Sequence, residues 1–294
     1  LAAIAFQNIL ITENKSIKSN KMNTTFKKYL KSALILSIAF LGACSGGAKK
    51  NDPNHIIVGV ESGPEYTIAQ VAQKVAKEKY NLDVELVQFN DYVMPNEALN
   101  QGDIDVNAFQ NKPYLDVQAK QRGYKFAIVG NTFVYPIAGY SRKIKSLKEL
   151  KNESTVIIPN DPTNSGRSLL LLQTVGLIKL KAGVGLLPTL NDVEDNPKHL
   201  KILELEAPQL PRSLDDANVS IAIINNTFAA PIGLVSTRDG LFIEDSKSPY
   251  VNAIVAREDN KNEDKVKRFV KAYQSSEVEE AAKGAFKGSA IKGW

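Results

Sequence analysis

Short β-branched runs alternate with stretches of helical apolar spacing along most of this chain. Ile56–Val60 reads as a first strand, and Ser62-Gly63-Pro64-Glu65 as a helix start, with Pro near the first helical position and an acid in the first turn. Ile68, Val71, Ala72 and Val75 then fall on one helical face. The alternating Asp83–Phe89 is a second strand, which makes a strand–helix–strand opening and predicts an open α/β sheet. A short helix is predicted from Pro95, a third strand over Gly102–Phe109, and a helix ending near Arg122-Gly123. Phe126–Val129 and Val134–Tyr140 are the next strands, the second long and interrupted by Pro136, as a connection between lobes would be. Further strands are expected at Thr155–Ile158, Leu200–Glu206, Val219–Ile224 and Pro249–Ala256. Helices are expected at Ser146–Leu150, Leu169–Leu180 and Lys265–Tyr273, and a helix or turn at Leu210–Ala217, with one more helical stretch before Trp294.

Charge changes this picture by being uneven. The net charge is +5, but Lys15, Lys18, Lys21, Lys27, Lys28 and Lys31 lie before residue 44 with Glu13 as the sole acid there, and the remainder is balanced. Composition therefore offers no argument for nucleic acid. Cys44 is the single cysteine, so no internal disulfide and no cysteine metal site can form. His55 and His199 are far apart, without ligand spacing, and both are expected to be solvated. No cofactor is implied.

Met22–Ala43 has the parts of a bacterial signal peptide: basic Lys27, Lys28 and Lys31, an apolar Ala33–Phe40 too short to span a bilayer, then Leu41-Gly42-Ala43-Cys44. That last tetrad resembles a lipobox, which implies cleavage before Cys44 and lipidation of its thiol. Residues 1–21 are expected to be upstream sequence outside the functional protein, and residues 44–54 a lipidated cysteine with a flexible tether. The protein is thus expected in the bacterial envelope, anchored to a membrane by lipid. Ser45 leaves both the periplasmic face and the cell surface open.

Candidate chemistry gathers at the carboxyl ends of strands, where open α/β sheets bind ligands. Tyr92, Phe109 and Tyr114 lie at or just past such ends. Asn225 follows a buried strand, and Asn252 sits inside one, where an amide needs a hydrogen-bonding reason. Pro159–Gly166 is dense in turn residues and leads to Arg167, whose planar fork at a helix start suits a carboxylate or phosphate.

From about Asn54 to Trp294 the chain resembles the NlpA family of methionine-binding lipoproteins. The resemblance rests on Phe89-Asn90-Asp91-Tyr92, Gly102-Asp103-Ile104-Asp105, Asn107–Gln110, Lys112-Pro113-Tyr114-Leu115, Gly130–Phe133, Pro159–Asn164, Gly166-Arg167 and Ser248–Asn252. It implies a two-lobed periplasmic-binding-protein fold of the second type, each lobe an open α/β sheet, with the ligand in the cleft. Lobe boundaries at 55–134 plus 253–294 and at 135–252 follow. It implies further that Arg167 clamps a ligand carboxylate, that Asn225 and Asn252 hydrogen-bond the amino-acid head group, and that Tyr92, Phe109 and Tyr114 wall the side-chain pocket. Asn111 stands where the family often has His, which removes a ring and a pH response from the site.

The expected function is capture of L- or D-methionine for an ABC importer, with a permease and its ATPase as partners. The alternative is a surface lipoprotein acting in adhesion or host interaction. An enzyme is not expected: the chain has no nucleophile–His–acid set, no metal spacing and no phosphate-binding glycine loop.

Overall fold

The computed structural model describes residues 52–245 and 247–294. The signal peptide, Cys44 and all but the last three residues of the tether lie outside them. Among the described residues no helix is long and apolar enough to cross a membrane.

Two sheets organise the molecule. The first opens with β1 (His55–Glu61), α1 (Pro64–Tyr80) and β2 (Asp83–Phe89), followed by α2 (Met94–Gln101), β3 (Val106–Asn111), α3 (Lys112–Arg122) and β4 (Phe126–Val134). The chain then crosses to β5 (Ala138–Tyr140), β6 (Thr155–Pro159), α4 (Pro162–Thr174) and a small β7–β8 hairpin (Lys179–Leu180, Val193–Asp195). Next come β9 (Lys201–Leu205), α5 (Leu210–Ser213), β10 (Val219–Ile224), α6 (Asn226–Ala229), α7 (Ser236–Asp239) and β11 (Phe242–Ile243). It returns through β12 (Val251–Arg257), α8 (Asp264–Tyr273), α9 (Ser276–Ala285) and β13 (Ile291–Lys292). The strand orders are β13-β4-β12-β3-β1-β2 and β11-β5-β10-β6-β9. The β1–β2, β1–β3, β10–β6 and β6–β9 pairs are parallel, and the pairs that involve β12, β4, β13, β5 and β11 are antiparallel. This is the two-lobed binding-protein fold.

Each sheet has its own core. Ile56, Val58 and Val60 of β1 pack on the Ile68, Ala72 and Val75 stripe of α1 and on Val266 and Phe269 of α8. In the second sheet Val156, Ile158, Ile221 and Ile223 pack on Leu169 and Leu172 of α4, while Ala222 and Ile224 face Leu210 and Leu214. Both faces of the inner parallel strands β1, β6 and β10 are buried, which accounts for their largely apolar sequence, whereas the edge strands β2 and β9 alternate with exposed charged residues.

Several expected boundaries move, each for a local reason. The third strand begins at Val106, not Gly102, because Gly102 caps α2 in the left-handed region and the Asp105 carboxylate accepts the Ile57 N–H at 2.8 Å, where a ladder bond would otherwise sit. Val134–Tyr140 is not one strand: Tyr135-Pro136-Ile137 separates β4 in one sheet from β5 in the other. The helix expected at Leu169–Leu180 runs from Pro162 to Thr174 instead. Asp161 caps it by accepting the Asn164 N–H at 2.9 Å, and Pro162 fills the first turn, so turn-forming residues become a helix start. Leu210–Ala217 shrinks to a four-residue helix. His199 is exposed as expected, whereas His55 is buried, with Nδ1 3.0 Å from Asp83 and Nε2 3.3 Å from Glu85 on the adjacent strand.

Candidate functional site

A cavity lies where the carboxyl ends of the two sheets face each other. It is lined by Tyr92, Phe109, Asn111, Tyr114, Arg167, Asn225 and Asn252, together with Gln110, Tyr135, Asn164, Asn226 and Thr227. The structure therefore brings together all seven residues singled out in the sequence.

One end is aromatic. The rings of Tyr92, Phe109 and Tyr114 form a triangle with centroids 5.9–6.1 Å apart, and Phe228 from the second sheet approaches Tyr92 at 5.0 Å. The Tyr114 hydroxyl donates to the Tyr92 carbonyl at 2.8 Å, which fixes the first turn of α3 against the loop after β2. Burial pushes both tyrosine hydroxyls well above their usual range, so the wall stays uncharged.

The other end is polar, and internal hydrogen bonds set the sense of each amide. Asn111 caps α3 by accepting the Tyr114 N–H at 3.0 Å, so its Nδ2 is the group left to donate. Asn252 is the direct cross-strand partner of Asn111 and donates through Nδ2 to the Phe109 carbonyl at 2.7 Å, leaving Oδ1 as an acceptor. That bond is the reason an Asn is accommodated inside β12. Asn225, at the end of β10, donates through Nδ2 to Asn164 Oδ1 at 2.8 Å, while its own Oδ1 is buried and unpartnered among the described residues.

Arg167 occupies the second turn of α4, not the first, and it is 4% exposed. The helix N-terminus itself is already satisfied by the Asp161 carboxylate, so the amide anion site expected there is filled from within the chain. Arg167 Nε donates to Glu244 Oε1 at 2.8 Å, Nη2 donates to the second Glu244 oxygen and also to the Tyr135 carbonyl at 3.1 Å, and the Tyr250 ring lies 4.4 Å from the guanidinium carbon. Among the described residues Nη1 has no hydrogen-bond partner. Tyr135 belongs to the outgoing connection between the sheets, and Glu244 and Tyr250 to the returning one. Gly166 lets α4 approach closely, since a Cβ there would meet the Leu186 carbonyl oxygen at 2.9 Å.

Behind the cavity two carboxyls are buried. Thr227, which lines the cavity from the second sheet, donates to Glu65 of α1 at 2.5 Å. Burial raises Glu65 to about 8, and burial together with Glu65 and Asp91 raises Glu61. A second bond between the lobes joins Asn226 Nδ2 to Ser289 Oγ at 3.0 Å.

Among the residues not nominated from sequence, Asn226 and Thr227 directly follow a nominated residue at a strand end, and Asn164 sits in the motif before Arg167. Those positions were a usable signal. Tyr135 and Gln110 carried none, because their orientation depends on how the connection and β3 turn.

The model of the NlpA lipoprotein family matches residues 56–294. The chain belongs to the NlpA lipoprotein family. It is 68% identical over 262 residues to the D-methionine-binding lipoprotein MetQ of Escherichia coli K12, covering 89% of this chain and 96% of that one. Among solved structures, a nutrient-binding protein from Burkholderia cenocepacia bound to methionine is 51% identical, with a TM-score of 0.79, covering 81% of this chain and all of that one. A periplasmic substrate-binding protein of an ABC transporter from Coxiella burnetii is 45% identical, with a TM-score of 0.78, over 81% and 100% of the two chains. Both solved structures share the fold described above.

Proposed function

We propose that this chain is the substrate-binding component of an ABC importer, which captures methionine between its lobes and delivers it to a membrane permease driven by an ATPase. The observation that carries the reading is the polarity of the cavity: an aromatic triangle at one end, and at the other a guanidinium beside two amide oxygens committed to accept. A free amino acid with an apolar, polarisable side chain needs that set. In this reading Arg167 holds the carboxylate through the nitrogen that its ion pair leaves over, and Asn225 and Asn252 accept from the ammonium. Asn111 donates from the first-sheet side. Tyr92, Phe109 and Tyr114 pack on the thioether. The names and contents of the relatives support methionine as the occupant.

The lobes are residues 55–134 with 251–294, and 135–250; the return boundary lies two residues before the expected one because Val251 and Asn252 pair within the first sheet, and the lobes close about the two connections by a hinge. Water is excluded by the rings on one side and by the Glu65–Thr227 and Asn226–Ser289 bonds on the other. The site is read as binding, not catalysing, because its polar lining is amides, one guanidinium already in an ion pair, tyrosine hydroxyls and a threonine hydrogen-bonded away. Lipid on Cys44 anchors the protein to an envelope membrane. The test is calorimetry and thermal melting of the mature protein with a panel of amino acids. Either methionine enantiomer at about 100 times its Kd is expected to add roughly 2.7 kcal/mol of stability. If neither enantiomer produces heat or a melting shift, the assignment fails.

A further inference from the structure

Asp161 does not line the cavity, yet it is bonded to Asn164, which does, and through Asn164 to Asn225. Its Oδ1 accepts the Asn164 backbone N–H at 2.9 Å, and its Oδ2 accepts Asn164 Nδ2 at 2.8 Å. Asn164 Oδ1 then accepts Asn225 Nδ2 at 2.8 Å. A carboxylate can only accept, so it forces Asn164 to donate toward it and to present its oxygen to Asn225. Asn225 must in turn donate inward and leave its oxygen to the cavity, which is the oxygen found buried without a partner. Asn164 is 2% and Asn225 7% exposed, so neither amide can turn over into solvent to escape this order.

We propose that Asp161 is a positioning residue that sets the hydrogen-bond sense of the binding site, making Asn225 Oδ1 an obligate acceptor and so selecting ligands with a donating α-ammonium over those with an α-carbonyl. The inference rests on reading the cavity as an amino-acid site and adds the residue that polarises it. Its chemistry allows an inversion. In Asp161→Asn the new amide keeps its oxygen on the Asn164 N–H, because Asn caps a helix as well as Asp does. Its Nδ2 then stands where Oδ2 stood and donates. Asn164 must turn its oxygen to meet it, Asn225 must turn as well, and the cavity receives an N–H in place of an oxygen.

The experiment measures the affinities of methionine and of its 2-oxo analogue, which differ in the group facing Asn225, by calorimetry on the mature wild type, on D161N and on the double variant D161N/N164D. Unliganded melting curves establish that each variant folds. The wild type is expected to favour methionine by about 100-fold or more, because a buried acceptor facing a carbonyl oxygen is left unpaired. D161N is expected to shrink that ratio at least about tenfold, weakening methionine while sparing or improving the oxo acid. D161N/N164D moves the carboxylate one step along the hydrogen-bond relay, from 161 to 164, so Asn225 again donates inward and the preference for methionine returns. A loss of both ligands in equal proportion in D161N would mean that Asp161 acts only as a helix cap and would overturn the proposal. So would a folded double variant that keeps the shrunken ratio. A wild type that binds no amino acid would instead overturn the functional reading beneath it.

Discussion

Arg167 shows what a residue's neighbours add to its type. Its spacing from a strand end and its planar fork made it a candidate anion clamp in the sequence, and the structure sets it in the cavity lining. Sequence could not show that Glu244, 77 residues on, is held by two of its nitrogens, or that Tyr250 covers its face. The ion pair changes the expected consequence of removing it. Glu244 is 12% exposed, so Arg167→Ala leaves a mostly buried carboxylate without its partner, and the fold is expected to lose on the order of 3 kcal/mol, along with methionine binding. Adding Glu244→Gln is expected to restore most of the stability and none of the affinity. Urea unfolding and calorimetry on the two variants check this, and an R167A protein as stable as wild type would show the ion pair to be idle. The other nominated residues were legible for a shared reason: strand ends in an open α/β sheet converge, so an aromatic or an amide just past a strand is already near its neighbours. His55 was not legible. Its burial depends on parallel register with Asp83, and register between strands leaves no mark on either one alone.

At the level of elements, helices and strands with a clear period were readable, and those governed by a cap or a register shift were not. Helix α4 is the instructive case. Pro162-Thr163-Asn164-Ser165 has the composition of a loop, and a single Asp161 side chain makes it helical. Starting seven residues earlier than the apolar pattern puts Asn164 and Arg167 about one turn apart, which places both on the cavity. The depth of that helix is set by Gly166, against which the Leu186-Leu187 backbone and the Pro188 ring pack. Gly166→Ala is expected to cost about 1–3 kcal/mol through overpacking and to weaken methionine binding by displacing the adjacent Arg167. Denaturant midpoints and a titration read both effects; unchanged stability would mean that the loop simply moves aside. The break between β4 and β5 has a similar local origin, since Pro136 offers no N–H to either sheet.

For the whole molecule, the bonds between lobes make stability depend on pH. Glu65 lies between them, facing Glu61 of β1, Tyr92, Tyr135 and Tyr273, and it accepts from Thr227. Its carboxyl holds a proton up to about 8 in the folded chain against 4.5 when exposed. The folded state therefore binds a proton that the unfolded state has released between those values. The stabilisation is complete below 4.5 and is lost as pH rises through 8, amounting to at most on the order of 5 kcal/mol. Urea midpoints are expected to fall from pH 5 to pH 8.5, and Glu65→Gln is expected to flatten that slope, with Glu61 contributing what remains. An unaltered slope in E65Q would show that Glu65 is ionised in the folded protein. The two-lobed architecture entered through the family resemblance, with Pro136 marking a crossing between lobes, whereas these cross-lobe carboxyls, distant in sequence from Thr227, were not readable. One guanidinium, finally, is tied to the carbonyl of Tyr135 on the outgoing connection and to Glu244 and Tyr250 on the returning one. On the proposed reading, the group that greets the guest is thus bolted to both door hinges. An occupant lacking a carboxylate would then fill the aromatic end but offer nothing to the part that joins chamber and frame, so that the swing of the lobes would answer to the charged head of the cargo and the rings to its tail.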